Sequence, residues 1–278
     1  MIREKISAFL TEDVFTGDLS TDLVFAENEE GIGQFLAKSD GIIAGLEIGQ
    51  VVYDELAPGT ATFTPFVNDG DKVTKGTVVA TATGRVRTLL SAERVILNLM
   101  QRMSAIATAT HNHVEALNDP TIRIVDTRKT LPGLRIFDKK AVKIGGGANH
   151  RFGLYDGVML KDNHIAYAGG IKPAVEKVRE GLGHMVKIEV EIESREQLLE
   201  AIDANADVIM FDNRTPEEVR EFVALTPAHI ITEISGGINL DNIANYAGTG
   251  AKYISIGSIT NAPTLFDISY NSSFAKLK

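Results

Sequence analysis

The chain has 278 residues, 44% of them hydrophobic and 23% charged, with a formal net charge of −9 and no cysteine. That acidic balance argues against an extended nucleic-acid face, which needs basic surface. The lack of thiols removes disulfides, thiolate metal sites and cysteine nucleophiles together and agrees with a reducing compartment.

The opening MIREKISAFLTEDVF carries no long apolar stretch, and no run approaches the roughly 18 apolar residues of a membrane helix. The expectation is a soluble, cytoplasmic protein with neither membrane nor nucleic-acid partner. Ile2, Ile6 and Leu10, four apart, predict an amphipathic helix over residues 2–11. Turn chemistry around Gly17-Asp18 then leads into extended structure. From Gly33 to Gly84, β-branched residues punctuated by Gly, Pro, Asn and Asp predict strands, and VNDGDKVTKGTVVATATG reads as hairpins turning at Asp69-Gly70 and Lys75-Gly76. The layout is similar to small lipoyl or biotinyl carrier sandwiches, but the flanks of their attachment lysine are missing, so a structural domain is expected.

A long helix is predicted from about Arg87 to Leu117, with Ile96, Met100, Met103, Ala107 and Val114 on one face for core and interface. His111 and His113, two apart, point about 200° away from each other and make a poor metal pair. Arg94 sits near the helix start, where a cation gains nothing from the helix dipole, so by position alone it reads as a surface residue.

Beyond Leu117, short apolar strands alternate with helical stretches. The strands are RIVDT (123–127), GVMLKD (157–162), VKIEVEI (186–192), DVIMFD (207–212), IITEIS (230–235) and YISIGS (253–258). The helical stretches are 172–180, 194–205, 215–224 and 239–247; Ser194 and Thr215 are N-cap candidates, and Pro216-Glu217-Glu218 is a strong start signal. Six strands with helical crossovers predict a parallel α/β sheet or barrel. Polar residues gather where those strands end: Asp126/Arg128/Lys129, Lys161/Asp162/Asn163/His164, Glu189/Glu191, Asp212/Asn213, Glu233/Ser235 and Gly257/Ser258. In a barrel such ends share one rim, where active sites are built.

Two anion sites are expected on that rim. Ser235-Gly236-Gly237, read as leading into a helix, and Gly257-Ser258 suit a phosphate, because glycines let backbone N–H groups approach it. Arg123 to His164 holds nine Lys/Arg against four Asp/Glu in an otherwise acidic chain. Arg128, Lys129, Arg151 and Lys161, with His150 as a further donor, are expected to clamp a carboxylate on the opposite side of the rim. Glu191 and Asp212, between the two, suit ribose hydroxyls, a Mg²⁺ carried by diphosphate, or a cationic transition state.

The segments AERVILNLMQRMSAIAT, DTRKTLPGLR, GGGANHRFGLYD and KDNHI, followed in order by EVE, FDN, SGG and IGSIT, closely resemble the quinolinate phosphoribosyltransferase family, also called nicotinate-nucleotide pyrophosphorylase (carboxylating). The likeness runs from GDLST to LFDIS. It implies an α/β protein with an N-terminal α/β sandwich domain (1–108, with the tail 266–278 packing back on it) and a C-terminal open, incomplete α/β barrel of the type II phosphoribosyltransferase kind (109–265). The implied reaction is quinolinate plus phosphoribosyl pyrophosphate (PRPP) giving nicotinate mononucleotide, pyrophosphate and CO₂, with Mg²⁺, in NAD biosynthesis. Carried over by motif, quinolinate would be held by Arg128, Lys129, His150, Arg151 and Lys161, with Arg94 reaching in from the other subunit of a homodimer. Lys129, Glu191 and Asp212 would be the catalytic set. The phosphoribosyl group would meet Lys161, Glu191, Asp212, Ser235, Gly236, Gly237, Gly257 and Ser258, and Glu191 and Asp212 would hold the metal indirectly. Lys139 or Lys143 is a weaker candidate for assisting pyrophosphate departure. Ala105, Ala148 and Lys140 depart from the family's usual Gly, Val and Tyr and bear on packing. The alternative is a related molybdenum-transport-associated transferase acting on another base, against which the intact KDNHI argues.

Overall fold

The computed structural model describes residues 1–273, so the last five residues of the expected C-terminal tail lie outside the described residues. The chain folds as two compact units, one of Met1–Ala109, Leu131–Gly145 and residues 262–273, the other of Thr110–Thr130 and Gly146–Asn261.

In the first unit, strands β1 (Glu30–Ala37), β2 (Gly41–Ile42), β3 (Ala61–Pro65), β4 (Lys72–Val73) and β5 (Val78–Arg85) form two sheets. β1 pairs antiparallel with β5 and with the last strand, Ile268–Ser273, while β3 flanks β5. The expected hairpins are rearranged: β4 pairs with β2, and β5 takes β1 and β3 as neighbours. Burial alternates along β1, so Phe35 points inward and packs on Phe63 and Tyr270 at ring distances of 5.2 and 5.0 Å. Gly33 has no choice of residue there, because a Cβ would lie 2.0 Å from the Tyr270 ring.

The long helix spans Val86–Leu117, and its Ile96, Met100 and Met103 are fully buried as the spacing predicts. The Arg135–Ile144 helix belongs to this first unit, although chain order had put it inside a second domain of 109–265. Its apolar stripe of Phe137, Ala141 and Val142 is buried, Phe137 meets Phe9 at 6.1 Å, and Arg102 clamps the fully buried Asp138 through two 2.7 Å bonds. Burial still pushes the Asp138 carboxyl up, with Arg102 opposing that shift.

The second unit holds six parallel strands, β6 (Arg123–Val125), β7 (Val158–Leu160), β8 (Ile188–Ile192), β9 (Val208–Asp212), β10 (Ile231–Ser235) and β11 (Tyr253–Ser255). Their order across the sheet is β6-β11-β10-β9-β8-β7. Helices Ile171–Gly181, Arg195–Asp203 and Pro216–Leu225 form crossovers between β7 and β10. Ser194 caps the second of these, and Thr215 with Glu218 forms a capping box on the third, each satisfying otherwise free amide hydrogens. On β8 to β10, Ile188, Val190, Ile192, Ile209, Phe211 and Ile234 are fully buried, and Phe211 meets Phe222 of the third helix edge-on. The alternate positions carry Glu189, Glu191, Met210, Glu233 and Ser235 on the other face of the sheet.

The helix expected over 239–247 is only a 3₁₀ turn at Ile243–Tyr246. Side-chain amides outcompete the helix ladder before it: Asn242 accepts from the Asn239 amide and donates to the Gly237 carbonyl, and Asn239 accepts from the Asp241 amide.

Candidate active site

At the carboxyl ends of the second unit's strands lies a cavity of about 330 Å³, lined by Thr127, Arg128, Lys129, His150, Arg151, Met159, Lys161, Met210, Ser235 and Ser255. Every cationic residue expected on the rim, together with His150, is therefore brought to one space. The sheet has β6 at one edge and β7 at the other, so Arg128 and Lys161 reach the same cavity only because the sheet curls into an open barrel. Burial, and next the charge of Arg128, lowers the affinity of the Arg151 guanidinium for its proton. The charges of Glu189 and Asp156 oppose that shift without cancelling it, so the pair of guanidiniums still favours an anionic ligand.

The loop carrying His150 and Arg151 is fixed from below. Asp126, fully buried after β6, accepts from the His150 amide at 2.9 Å and from Asn149 Nδ2 at 2.6 Å. Ala148 bridges in parallel to Val125, so this stretch runs along the free edge of β6. Arg151 also donates from its guanidinium to the Gly157 carbonyl at 2.8 Å.

The strand order corrects one expectation. The cationic loop and the glycine turns do not oppose each other across the rim, because β11 lies between β6 and β10. Lys129 is in fact laid against Gly257: a Cβ on Gly257 would stand 2.8 Å from Lys129 Cδ, and Thr260 donates to the Lys129 carbonyl at 2.8 Å. Glu191 and Asp212 end β8 and β9, between the glycine turns and Lys161. Lys161 pairs directly with Glu191, and Asp212 accepts from Asn213 at 2.7 Å.

Ser235-Gly236-Gly237 is a turn with both glycines left-handed (φ +89° and +65°) and no α-helix following it. Open backbone and the neighbouring Asn213 therefore replace the expected helix end. A Cβ on Gly236 would lie 2.3 Å from Asn213 Oδ1, and the Asn213 amide donates to the Ser235 carbonyl at 2.8 Å. Ser258 begins a four-residue helix, Ser258–Asn261, and is exposed.

Glu189 and Glu233 are not rim residues, as their sequence position suggested. Both are buried inside the barrel against His150, whose Nε2 lies 3.0 Å from Glu189 and 3.6 Å from Glu233. Burial first, then the nearby Glu189 charge, raises the Glu233 carboxyl well above the usual range. His150 Nδ1 accepts from the Arg151 amide at 2.7 Å. A second cavity of about 270 Å³ opens below this cluster at the amino ends of the strands, beside Lys187, Val208, Ile231 and Tyr253. The EVE and TEIS motifs carried the signal for this cluster; alternation alone does not separate floor from rim.

Arg94 lies in the first unit, 59% exposed, with Glu93 as ion partner at 3.9 Å. It lines a cavity of about 430 Å³ with Phe9, Glu12, Asp13, Asn98, Arg102 and Leu134. Lys139 is fully buried in that unit, a poor position for meeting a leaving group, while Lys143 is exposed. Lys140, the departure from the usual tyrosine, pairs with Glu47.

A parallel open barrel with a cationic pocket beside glycine turns at its strand ends defines a transferase site for an anionic acceptor and a phosphorylated donor. Family models agree: residues 18–104 match the quinolinate phosphoribosyl transferase N-terminal domain, and residues 106–271 match the C-terminal domain. The chain belongs to the quinolinate phosphoribosyl transferase family. It is 50% identical to a probable nicotinate-nucleotide pyrophosphorylase [carboxylating] of Bacillus subtilis, over 96% of this chain and 92% of that protein. It is 39% identical to a mitochondrial quinolinate phosphoribosyltransferase [decarboxylating] of Nicotiana tabacum, over 96% of this chain and 81% of that one. Among solved structures, NadC from Streptococcus pyogenes superposes with a TM-score of 0.93 at 39% identity, covering 97% of this chain and 95% of that one. The Francisella tularensis nicotinate-nucleotide pyrophosphorylase gives 0.90 at 33%, covering 98% and 97%.

Proposed function

We propose that the chain transfers the phosphoribosyl group of PRPP to the ring nitrogen of quinolinate, releasing pyrophosphate and CO₂ and leaving nicotinate mononucleotide for NAD synthesis. The observation that carries this reading is the convergence of Arg128, Lys129, Arg151 and Lys161 on one cavity bordered by the Gly236 and Gly257 turns. Quinolinate is a dianion, and two guanidiniums with two ammonium groups match its adjacent carboxylates. Open backbone at Gly236, Gly237 and Gly257, with Ser235 and Ser258, leaves room for the 5′-phosphate.

Departure of pyrophosphate leaves an oxocarbenium-like C1′, which Glu191 and Asp212 stabilise through their negative charge. Lys161 neutralises Glu191 before ligands arrive; a substrate carboxylate that takes over Lys161 frees Glu191 to face that cation. Positioning of the ring nitrogen supplies a large share of the rate. Once bonded to ribose, the nitrogen is cationic and draws electrons from C2, so the C2 carboxylate leaves as CO₂ without a covalent enzyme intermediate. Mg²⁺ would arrive on the diphosphate. Glu191 and Asp212 fit a supporting role through water, since one is paired with Lys161 and the other is hydrogen-bonded to Asn213.

The working form on this reading is a homodimer in which Arg94 completes the partner's anion site. Mixing an Arg94→Ala chain with a Lys129→Ala chain then restores part of the activity that each lacks alone; well-folded mixed dimers that stay inactive refute sharing. Among the described residues no helix is long and apolar enough to cross a membrane, and the cytoplasm is the proposed location. The reaction itself is tested by supplying PRPP, Mg²⁺ and quinolinate and assaying nicotinate mononucleotide. Nicotinate in place of quinolinate is the control that must give none.

A further inference from the structure

We infer that Glu189 and Glu233 are positioning residues of the anion site, acting through His150 to hold Arg151 where a substrate carboxylate meets it. The inference rests on the reading of the cationic cavity as the quinolinate site.

The geometry carries it in three steps. First, His150 has its ring nitrogens committed within the protein. Nδ1 accepts from the Arg151 amide at 2.7 Å, so it carries no proton, and Nε2 faces Glu189 at 3.0 Å and Glu233 at 3.6 Å. A ring held so is the Nε2–H tautomer and has no N–H left for a ligand. Carrying His150 over as a direct quinolinate contact therefore disagrees with this arrangement; the ring faces inward and braces its neighbour.

Second, the brace has a firm footing. Glu189 and Glu233 are 5% and 4% exposed and come from β8 and β10, two strands of the sheet. Each keeps one buried oxygen, Oε1, without a hydrogen-bond partner; on Glu233 that is the oxygen 3.6 Å from Nε2, so Glu189 is the close partner of the ring and Glu233 stands behind it by charge and packing. Such carboxylates are costly, and a structure that keeps two of them around one imidazole is using them to fix that ring.

Third, the braced residue is the one that matters to the ligand. Arg151 is tethered at its amide by His150 Nδ1 and at its guanidinium by the Gly157 carbonyl, which leaves the rest of the fork for a carboxylate. A ring free to turn would release the amide and with it the aim of the guanidinium.

The test is a double-mutant cycle on the full-length enzyme with quinolinate and PRPP varied separately. Glu189→Ala is expected to raise the quinolinate KM on the order of tenfold, with the PRPP KM unchanged. Glu189→Gln, whose amide oxygen still accepts from Nε2–H, is expected to recover most of that loss. His150→Asn removes the brace, so Glu189→Ala added to it has no further effect on quinolinate binding. Full additivity of the two changes, or equal rises in both KM values, overturns the inference. So does a stoichiometric metal ion in the purified protein whose removal by chelator abolishes activity, since the three side chains would then be its ligands. If Glu189→Ala does not fold, Glu233→Ala in the same cycle decides by the same criteria. A wild-type enzyme that makes no nicotinate mononucleotide fails the functional reading instead, and is told apart by that control.

Discussion

The rim and the floor of the second unit are made from the same kind of residue, charged side chains at alternate strand positions, and they behave in opposite ways. On the rim, Arg128, Lys129, Arg151 and Lys161 crowd like charges around open space, and Lys161 pairs directly with Glu191. On the floor, two carboxylates and an imidazole are sealed against one another with little solvent. A rim charge waits for a ligand, whereas a floor charge is spent on architecture. Depth along the strand, two residues from Glu189 to Glu191 or from Glu233 to Ser235, decides which role a position takes.

The rim is the more sensitive of the two to single substitutions. Arg151→Ala is expected to lower kcat/KM with quinolinate by about a hundredfold or more while leaving the melting temperature within a few degrees. Unchanged kinetics would remove Arg151 from the anion site. Gly236→Ala has an intermediate effect and tests the glycine turns separately. Its left-handed backbone alone costs about 1–2 kcal/mol, and the new Cβ displaces Asn213. The PRPP KM should rise while quinolinate binding holds; the reverse pattern would reassign the turn.

The smallest effect sharpens the floor. Glu233 has its folded pKa raised, chiefly by burial, so the unfolded chain releases that proton first as pH rises. Stability is therefore fullest below the ordinary carboxylate pKa and declines as pH climbs through it towards the folded value. Glu233→Gln should flatten that decline in urea titrations between acid and mildly alkaline pH. A slope identical to wild type would show that Glu233 is not the proton-holding group.

Much of this was legible in the chain. Thr215-Pro216-Glu217-Glu218 spelled a capping box and forms one, and six apolar runs became six parallel strands. The cationic residues stand out in composition and motif. What stayed hidden is set by tertiary neighbours. The stripe Phe137, Ala141 and Val142 reads like any crossover helix, and partners distant in sequence, Phe9, Glu47 and Arg102, draw it into the first unit. Chain order cannot show that β11 inserts between β6 and β10, so Lys129 beside Gly257 was unforeseen. Nor does alternation reveal that Glu189 and Glu233 lie deeper than Glu191.

Asp126 closes the matter of how the anion loop is mounted. Both of its oxygens are occupied by the loop it carries, and the residue itself has no solvent exposure. The segment bearing His150 and Arg151 is thus riveted to the sheet as a fixture. Its conformational entropy was surrendered when the protein folded, so an arriving dianion has little ordering left to impose on it.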